Sequence, residues 1–249
     1  MIIVVAAFLA KHQDDLNEPK VLGKLAVICG IPLLLILKQP SLSSTLDICF
    51  IILGMIFMAG LSSRLIVQVL IVGVPLLAIF LWYVQTPGQV LLEPHQVARI
   101  MSFLHPENYA DSTALQTSNS IMAIGSGLLW GKGLNNTDPT SVKNGNFILE
   151  PQNDFIFAVA GEELGFVGCL ITIFLLFTIV IECIITAVRA KDLEGRLICC
   201  GVAAYIAFQT FINIGVVTKL LPNTGLPLPF FSCGVTSLVN LFAAMGIVL

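Results

Sequence analysis

The 249 residues are 57% hydrophobic and only 11% charged, and their mean hydropathy is +0.95, whereas soluble domains carry roughly a quarter charged residues. The composition excludes an ordinary soluble domain and indicates an integral membrane protein. The formal net charge of −3 is too small to indicate nucleic acid or another highly charged partner. The seven cysteines include no Cys-x-x-Cys pair, which is typical of small core side chains and not of a zinc site.

Long apolar runs recur along the chain, and each is long enough to cross a hydrocarbon core of roughly 30 Å as a helix. We therefore predict an all-α fold, a polytopic transmembrane helix bundle that forms a single membrane domain over residues 1–249. The apolar stretch 1–10 is too short to cross, and we interpret it as the end of a helix whose beginning is missing. The predicted crossings are 21–37, 45–60, 65–85, 164–188, 197–217 and 232–249.

One long polar segment, residues 86–153, interrupts these crossings, and Pro, Gly and Asn occur throughout it. We predict a large loop outside the bilayer that contains short or re-entrant helices, and a loop of this size usually carries function. The short connections on the same side hold only Lys38 and Lys219. Because basic residues collect on the cytoplasmic side, we expect the loop to be extracytoplasmic. The basic residues of the opposite side are Lys11, Lys20, Lys24, Arg64, Arg189, Lys191 and Arg196.

The end of this loop carries the first candidate for chemistry, Asp154, where a polar stretch runs into an apolar one. If a helix begins near Asp154, then Asp154, Ala158, Gly161 and Gly165 share one face, since steps of four, three and four residues follow the helical period. Gly161 and Gly165 would let another helix approach closely. The alternative is that Asp154 caps the helix by accepting backbone N–H bonds.

Three cations of the loop, Arg99, Lys132 and Lys143, are candidates for binding a pyrophosphate or another anionic headgroup. Arginine can bind such a group with two parallel hydrogen bonds. The alternative is that these residues are ordinary solvated charges.

A glycine-rich run at residues 125–133 contains Ser126 and Lys132. It is not a nucleotide-binding loop, because Gly133 follows the lysine where a Ser or Thr is needed for magnesium and no strand pattern precedes the run. We interpret it as a re-entrant or interfacial element, whose irregular backbone has to be buried in protein or line a wet cavity.

A rigid turn rich in proline and glycine, residues 222–232, separates the last two crossings. Such a turn beside polar side chains either forms the wall of a pocket or simply ends a helix. Its candidate binding residues, together with one from the preceding crossing, are Asn213, Pro222, Thr224, Gly225 and Ser232.

Two acidic residues, Asp47 and Glu182, lie inside apolar runs. An ionisable residue within a membrane crossing usually marks function. Each is near the end of its crossing and could reach the interface, so neither belongs to the main predicted site.

These motifs together resemble the SEDS family (shape, elongation, division and sporulation), the membrane glycosyltransferases of the RodA and FtsW type. The resemblance covers nearly the whole chain and is strongest at 123–134, 154–166 and 222–232. It implies polymerisation of the lipid-linked disaccharide precursor lipid II into peptidoglycan glycan strands, in the membrane and beside a class B penicillin-binding protein transpeptidase.

The essential aspartate of that family is matched by Asp154, which implies a role as general base or as a carboxylate that holds a divalent cation, Mg or Mn. We predict that the lipid substrates are bound by residues of the loop, the turn and the neighbouring crossing. These residues are Arg99, Ser126, Lys132, Asn213, Pro222, Thr224, Gly225 and Ser232.

The chain also departs from the family pattern. The resemblance begins partway through the family's membrane domain, so we interpret the chain as a fragment of a polymerase or a gene product begun at an internal Met. Ser41 stands in place of an Asp, Asn119 in place of a common Gln, and Cys233 with Val235 in place of Tyr and Gly. The alternatives are a flippase that moves the lipid precursor without chemistry and an inactive scaffold that binds a transpeptidase.

Overall fold

The structure, a computed structural model, describes residues 1–38, 42–86, 93–105, 113–134, 141, 145, 147–148 and 151–249. Over these residues it is helical and contains no strand, which confirms the predicted all-α fold. The helices are α1 (Ile2–Lys11), α2 (Pro19–Lys38), α3 (Leu42–Met58), α4 (Ser63–Val84), α5 (Pro94–Leu104), α6 (Thr113–Ser126), α7 (Ile156–Arg189), α8 (Leu193–Val217) and α9 (Val235–Val248).

Each predicted crossing corresponds to one of these helices. Among the described residues, three helices are long and apolar enough to span a membrane, namely most of α2, all of α7 and all of α8. Helices α1 and α9 and most of α3 are apolar but shorter. The described parts of the predicted loop contain two short helices, α5 and α6, as expected. Ser41 and Lys143 lie outside the described residues.

Helix α8 is the centre of the bundle and packs against α1, α3, α6, α7 and α9. Its glycine at position 201 allows two of these helices to come close, because a Cβ atom there would lie 2.8 Å from a methyl carbon of Ile2 and 2.9 Å from the sulfur of Met55. Small residues serve this purpose in membrane bundles, where close van der Waals packing replaces the hydrophobic effect between helices.

Helix α7 begins at Ile156, before the predicted crossing 164–188, and is interrupted by a kink. Its N-cap is Phe155, so Asp154 lies in the preceding turn and is not the N-cap residue. Gly165 has φ 69° and ψ −166°, a conformation that glycine adopts readily and other residues rarely do. The prediction that Asp154 and Gly165 lie on one face of a continuous helix is therefore wrong.

The kink exists because a second segment pairs with it. The backbone N–H groups of Phe166 and Val167 donate to the carbonyls of Leu128 and Leu129, at 2.9 and 3.2 Å. We call residues 127–133 the glycine clamp. Its remaining pairs run the other way, from Lys132 N–H to Glu162 O at 2.9 Å and from Gly133 N–H to Glu163 O at 3.1 Å.

The predicted close approach at the glycines of α7 is confirmed. A Cβ atom on Gly161 would lie 2.9 Å from a side-chain carbon of Ile124 in α6, and one on Gly165 would overlap the backbone of Leu129 and Gly131. In the same way, a Cβ atom on Gly127 would overlap the carbonyl oxygen of Gly161. The start of α7 is thus fixed by direct contact between backbones.

Candidate functional site

Asp154 lies in the turn 151–155, immediately before α7. The side-chain amide of Asn213, near the end of α8, donates hydrogen bonds to the carbonyl oxygens of Asp154 at 2.8 Å and Leu226 at 2.7 Å. Asn213 is only 1% exposed. One buried amide therefore joins α8, the turn that carries the carboxylate, and the segment that precedes α9.

Ser232 makes a second connection between the same two segments. Its hydroxyl donates to the carbonyl oxygen of Asn153 at 2.6 Å and accepts a hydrogen bond from the backbone N–H of Leu228 at 2.7 Å. The N–H of Cys233 donates to the carbonyl of Gln152 at 3.1 Å. We call residues 222–232 the proline loop; its contacts hold the backbone on both sides of Asp154.

Gly225 lies beside both the carboxylate of Asp154 and the guanidinium of Arg99. Its φ is +71°, and a Cβ atom there would lie 3.2 Å from Oδ2 of Asp154 and 3.5 Å from Nη1 of Arg99. Nη1 of Arg99 donates to the carbonyl oxygen of Thr224 at 3.0 Å, and the hydroxyl of Ser43 donates to the same oxygen. The carboxylate and the guanidinium therefore both border one residue that has no side chain.

Arg99 is carried by a helix whose start is well defined. In α5, Glu93 and Gln96 form a capping box, and the N–H of Glu93 donates to Oε1 of Gln96 at 3.2 Å. Pro94 occupies the first turn, where its fixed φ favours the helix and its missing N–H is not needed. These features fix the direction from which Arg99 reaches the proline loop.

Ser126 and Lys132 line a separate cavity of about 260 Å³, whose walls include neither Asp154 nor Arg99. The ammonium of Lys132 lies 2.8 Å from Oε1 of Glu162, an ion pair in which the glutamate side chain is 3% exposed. In this structure the charge of Lys132 is therefore directed at α7. A role for Lys132 in headgroup binding stays a prediction.

The structure brings six of the predicted site residues together and places the others elsewhere. Pro222 lies in the proline loop, but it borders a small space beside Ser102, Thr117 and Lys219 instead of the carboxylate. The six predicted residues that lie together are Arg99, Asp154, Asn213, Thr224, Gly225 and Ser232.

Two residues, Glu162 and Ser43, contact predicted site residues but were not predicted as site residues themselves. Glu162 was detectable, because an acidic side chain inside an apolar stretch usually has a partner. Ser43 could not be found in the same way, since its contact with Thr224 joins positions far apart in the sequence.

The residues that the structure describes contain no group of three or more His, Cys, Asp or Glu side chains suited to hold a metal ion. A divalent cation at Asp154 would therefore depend on few protein ligands. Magnesium is often bound in this way, through one or two carboxylates together with the phosphates of a substrate. Asp154 fits such a site only when the substrate supplies the other oxygens.

A family model described as a cell cycle protein, which covers FtsW, RodA and SpoVE, matches residues 1–249. The chain belongs to the FtsW/RodA/SpoVE family. This confirms the resemblance seen in the sequence.

Two relatives from Bacillus subtilis (strain 168) illustrate the match to the FtsW/RodA/SpoVE family. One, a "probable peptidoglycan glycosyltransferase FtsW", is 36% identical over 253 residues, covering 99% of this chain and 60% of the relative. The other, "stage V sporulation protein E", is 34% identical over 100% of this chain and 65% of its own length. The chain thus spans less than two thirds of the length of these relatives.

Two solved structures share the fold. One was solved to show the structural coordination of polymerization and crosslinking by a peptidoglycan synthase complex. It matches with a TM-score of 0.75 and 25% identity, and the match covers 99% of this chain and 66% of the solved chain. The other is a variant of the rod-shape-determining protein RodA from Thermus thermophilus, with a TM-score of 0.61 and 25% identity over 100% of this chain and 62% of that one.

Proposed function

We propose that the protein is a peptidoglycan glycosyltransferase, which transfers a growing glycan strand from a polyprenyl-pyrophosphate donor to lipid II. The observation that carries this proposal is the placement of the Asp154 carboxylate and the Arg99 guanidinium against Gly225. Relatives in the FtsW/RodA/SpoVE family that are named probable peptidoglycan glycosyltransferases support the reaction class.

In this reaction Asp154 takes the proton from the attacking sugar hydroxyl of the acceptor. A new carbon–oxygen bond forms at the donor sugar while the bond to the polyprenyl pyrophosphate breaks, so a single in-line displacement inverts that carbon. The hydrogen bonds of Asn213 and Ser232 hold the backbone around Asp154. A base held in this way loses little freedom when the acceptor binds.

Arg99 is the residue that we assign to the leaving pyrophosphate. A guanidinium has five N–H donors, and the contact with Thr224 uses one of its two terminal nitrogens. The other donors can bind phosphate oxygens in a two-pronged geometry. A divalent cation such as Mg or Mn, held by Asp154 and the phosphates, would supply further neutralisation of the departing charge.

We place this site on the extracytoplasmic side of the bacterial cell membrane, on the basis of the basic residues of the opposite face. The glycine clamp and its flank expose large apolar side chains, among them Leu128 at 78% and Trp130 at 79%, which suits contact with the membrane surface. The solved peptidoglycan synthase complex combines polymerization and crosslinking, and this supports a class B penicillin-binding protein transpeptidase as the partner.

The test is a polymerisation assay in detergent with purified lipid II and a divalent cation, using protein expressed from the longest reading frame that contains these residues. We expect glycan strands on a gel with the unsubstituted protein and at least a hundredfold less with Asp154→Asn, because the amide cannot accept the proton. The matched control is Asp14→Asn, which changes an exposed aspartate and should leave the rate unchanged.

Two results would count against the proposal. Long strands from Asp154→Asn would remove the role of the carboxylate as base. Movement of the lipid II headgroup across vesicle membranes without any polymer would show that the protein is a flippase.

A further inference from the structure

A cavity of about 260 Å³ lies between α6, the glycine clamp and α7, and its described walls all come from residues 119–162 in the middle of the chain. This volume is sufficient for several water molecules or for one small polar headgroup, since a water molecule in the liquid takes about 30 Å³. The polar residues that line the cavity are Asn119, Ser126, Lys132 and Glu162.

The cavity has a buried floor and an exposed mouth. Asn119 and Glu162 are buried and form the floor. Met122, Ser126 and Lys132 are exposed and form the mouth. The ammonium of Lys132 reaches from the mouth to Oε1 of Glu162, at 2.8 Å. A negative charge therefore lies at the floor of the cavity, and a positive charge lies nearer the mouth.

The polar groups of the floor can accept further hydrogen bonds. A carboxylate has about four sites that accept hydrogen bonds, and Lys132 occupies one of those on Glu162. The side-chain amide of Asn119 donates to the carbonyl oxygen of Phe147 at 2.8 Å, which leaves the oxygen of that amide as an acceptor. The floor is therefore suited to a group that carries several N–H donors.

The cavity lies at the level where α7 enters the membrane. Helix α7 has 34 residues and is therefore about 51 Å long, whereas the hydrocarbon core is roughly 30 Å thick. The glycine clamp pairs with the backbone of residues 162–167, so it borders the outer end of the predicted crossing 164–188. Trp130 of the clamp is exposed, and tryptophan is enriched at the membrane surface. The mouth of the cavity is therefore within reach of lipid headgroups.

The two charges of the cavity discriminate between headgroups. A ligand with only negative charge would be attracted by Lys132 and repelled by Glu162, and a ligand with only positive charge would meet the reverse. A zwitterion pairs with both residues when its ammonium lies at the floor and its phosphate lies at the mouth. Lysine binds phosphate as a point charge, and the hydroxyl of Ser126 is a second polar group of the mouth.

We propose that this cavity binds the headgroup of an aminophospholipid of the outer leaflet, such as phosphatidylethanolamine. The primary ammonium donates to Glu162 and Asn119, and the phosphate accepts from Lys132. The acyl chains leave the cavity over Met122, which is exposed at the mouth. The bound lipid connects α6, the glycine clamp and α7 and stabilises their contact.

The test uses three phospholipids with identical acyl chains and no lipid II, so its outcome does not depend on the proposed polymerase activity. The protein from the longest reading frame is unfolded by heat in detergent micelles that contain increasing fractions of phosphatidylethanolamine, phosphatidylcholine or phosphatidylglycerol. We expect phosphatidylethanolamine to raise the unfolding temperature in a saturable manner, since a ligand of the folded state stabilises it. Phosphatidylcholine has no N–H donor and phosphatidylglycerol has no ammonium. Their half-saturating fractions should be about tenfold higher, which corresponds to about 1.4 kcal/mol.

The double variant Lys132→Met with Glu162→Gln removes both charges and should respond equally to the three lipids. The control Glu182→Gln removes an exposed carboxylate of α7 that does not line the cavity, and it should keep the preference for phosphatidylethanolamine. If the double variant does not fold, Asn119→Leu takes its place, because it removes the amide of the floor and should also reduce the preference. Equal responses of the unsubstituted protein to the three lipids, or an unchanged preference in the variant, would overturn the proposal.

Discussion

The glycine clamp and the proline loop both hold the start of α7, but they do so with different atoms. The glycine clamp pairs backbone with backbone, at Phe166, Val167, Lys132 and Gly133. The proline loop is held mainly by side chains that bond to backbone. The first contact therefore depends on side chains being absent, whereas the second depends on particular side chains being present, and the two should fail under different substitutions.

The largest effect is expected from Gly127→Ala in the glycine clamp. The added Cβ atom would overlap the carbonyl oxygen of Gly161, and a backbone atom in a packed position cannot move aside easily. We expect a loss of about 3 kcal/mol or more in the free energy of unfolding. Denaturant titration in mixed micelles measures it.

The matched control lies two residues earlier. A Cβ atom on Gly125 would meet nothing within 4 Å, so Gly125→Ala should be neutral or stabilising by up to about 1 kcal/mol, since alanine favours the helix. Equal losses from both alanine variants would show that close backbone contact is not what holds the clamp.

The next effect concerns the ion pair between the glycine clamp and α7. Lys132→Met takes the cation away from the buried carboxylate of Glu162, and we expect a loss of about 2–3 kcal/mol. In the double variant Lys132→Met with Glu162→Gln, no charge is left buried, so most of that stability should return. Unfolding in mixed micelles compares the single and double variants.

The same pair of variants separates two roles of Lys132. If the residue serves only the clamp, the double variant should also recover glycan polymerisation. Recovered stability without recovered polymerisation would instead indicate that Lys132 binds the substrate.

The sequence allowed the helices to be predicted well, because long apolar runs determine membrane helices almost without tertiary information. It did not allow the kink at Gly165 to be predicted. A small-xxx-small pattern shows that something approaches closely, but the same pattern is compatible with a straight helix packed on another helix. The kink results from backbone pairing with Leu128 and Leu129, which no local pattern encodes.

Only part of the candidate site could be predicted, because the sequence shows local patterns but not contacts between residues far apart in the chain. Asp154 is recognisable because a carboxylate stands at the border of an apolar run within a family motif. The contact of Arg99 with Thr224 joins two residues far apart in the chain, and only the fold shows it. Asp47 was noted as an ionisable residue in an apolar run, but that it lines one cavity together with Gln209 depends on how α3 packs on α8.

The smallest of the three effects is expected from Asn213→Ala, in α8 beside the proline loop. This substitution removes the amide that donates to the carbonyl oxygens of Asp154 and Leu226. The space that remains is small and polar, so we expect a loss of about 2 kcal/mol. Polymerisation should fall by more than the folded fraction does, because the turn that carries the carboxylate loses its support from α8.

The control for this last substitution is Asn17→Ala, which removes a single exposed hydrogen bond to the N–H of Ser62. Surface changes of this kind usually stay within about 0.5 kcal/mol. If Asn213→Ala were equally harmless to stability and to polymerisation, the proline loop would not depend on side-chain hydrogen bonds. Close packing of its backbone would then position Asp154, as it positions the glycine clamp, and the contrast between the two segments would not hold.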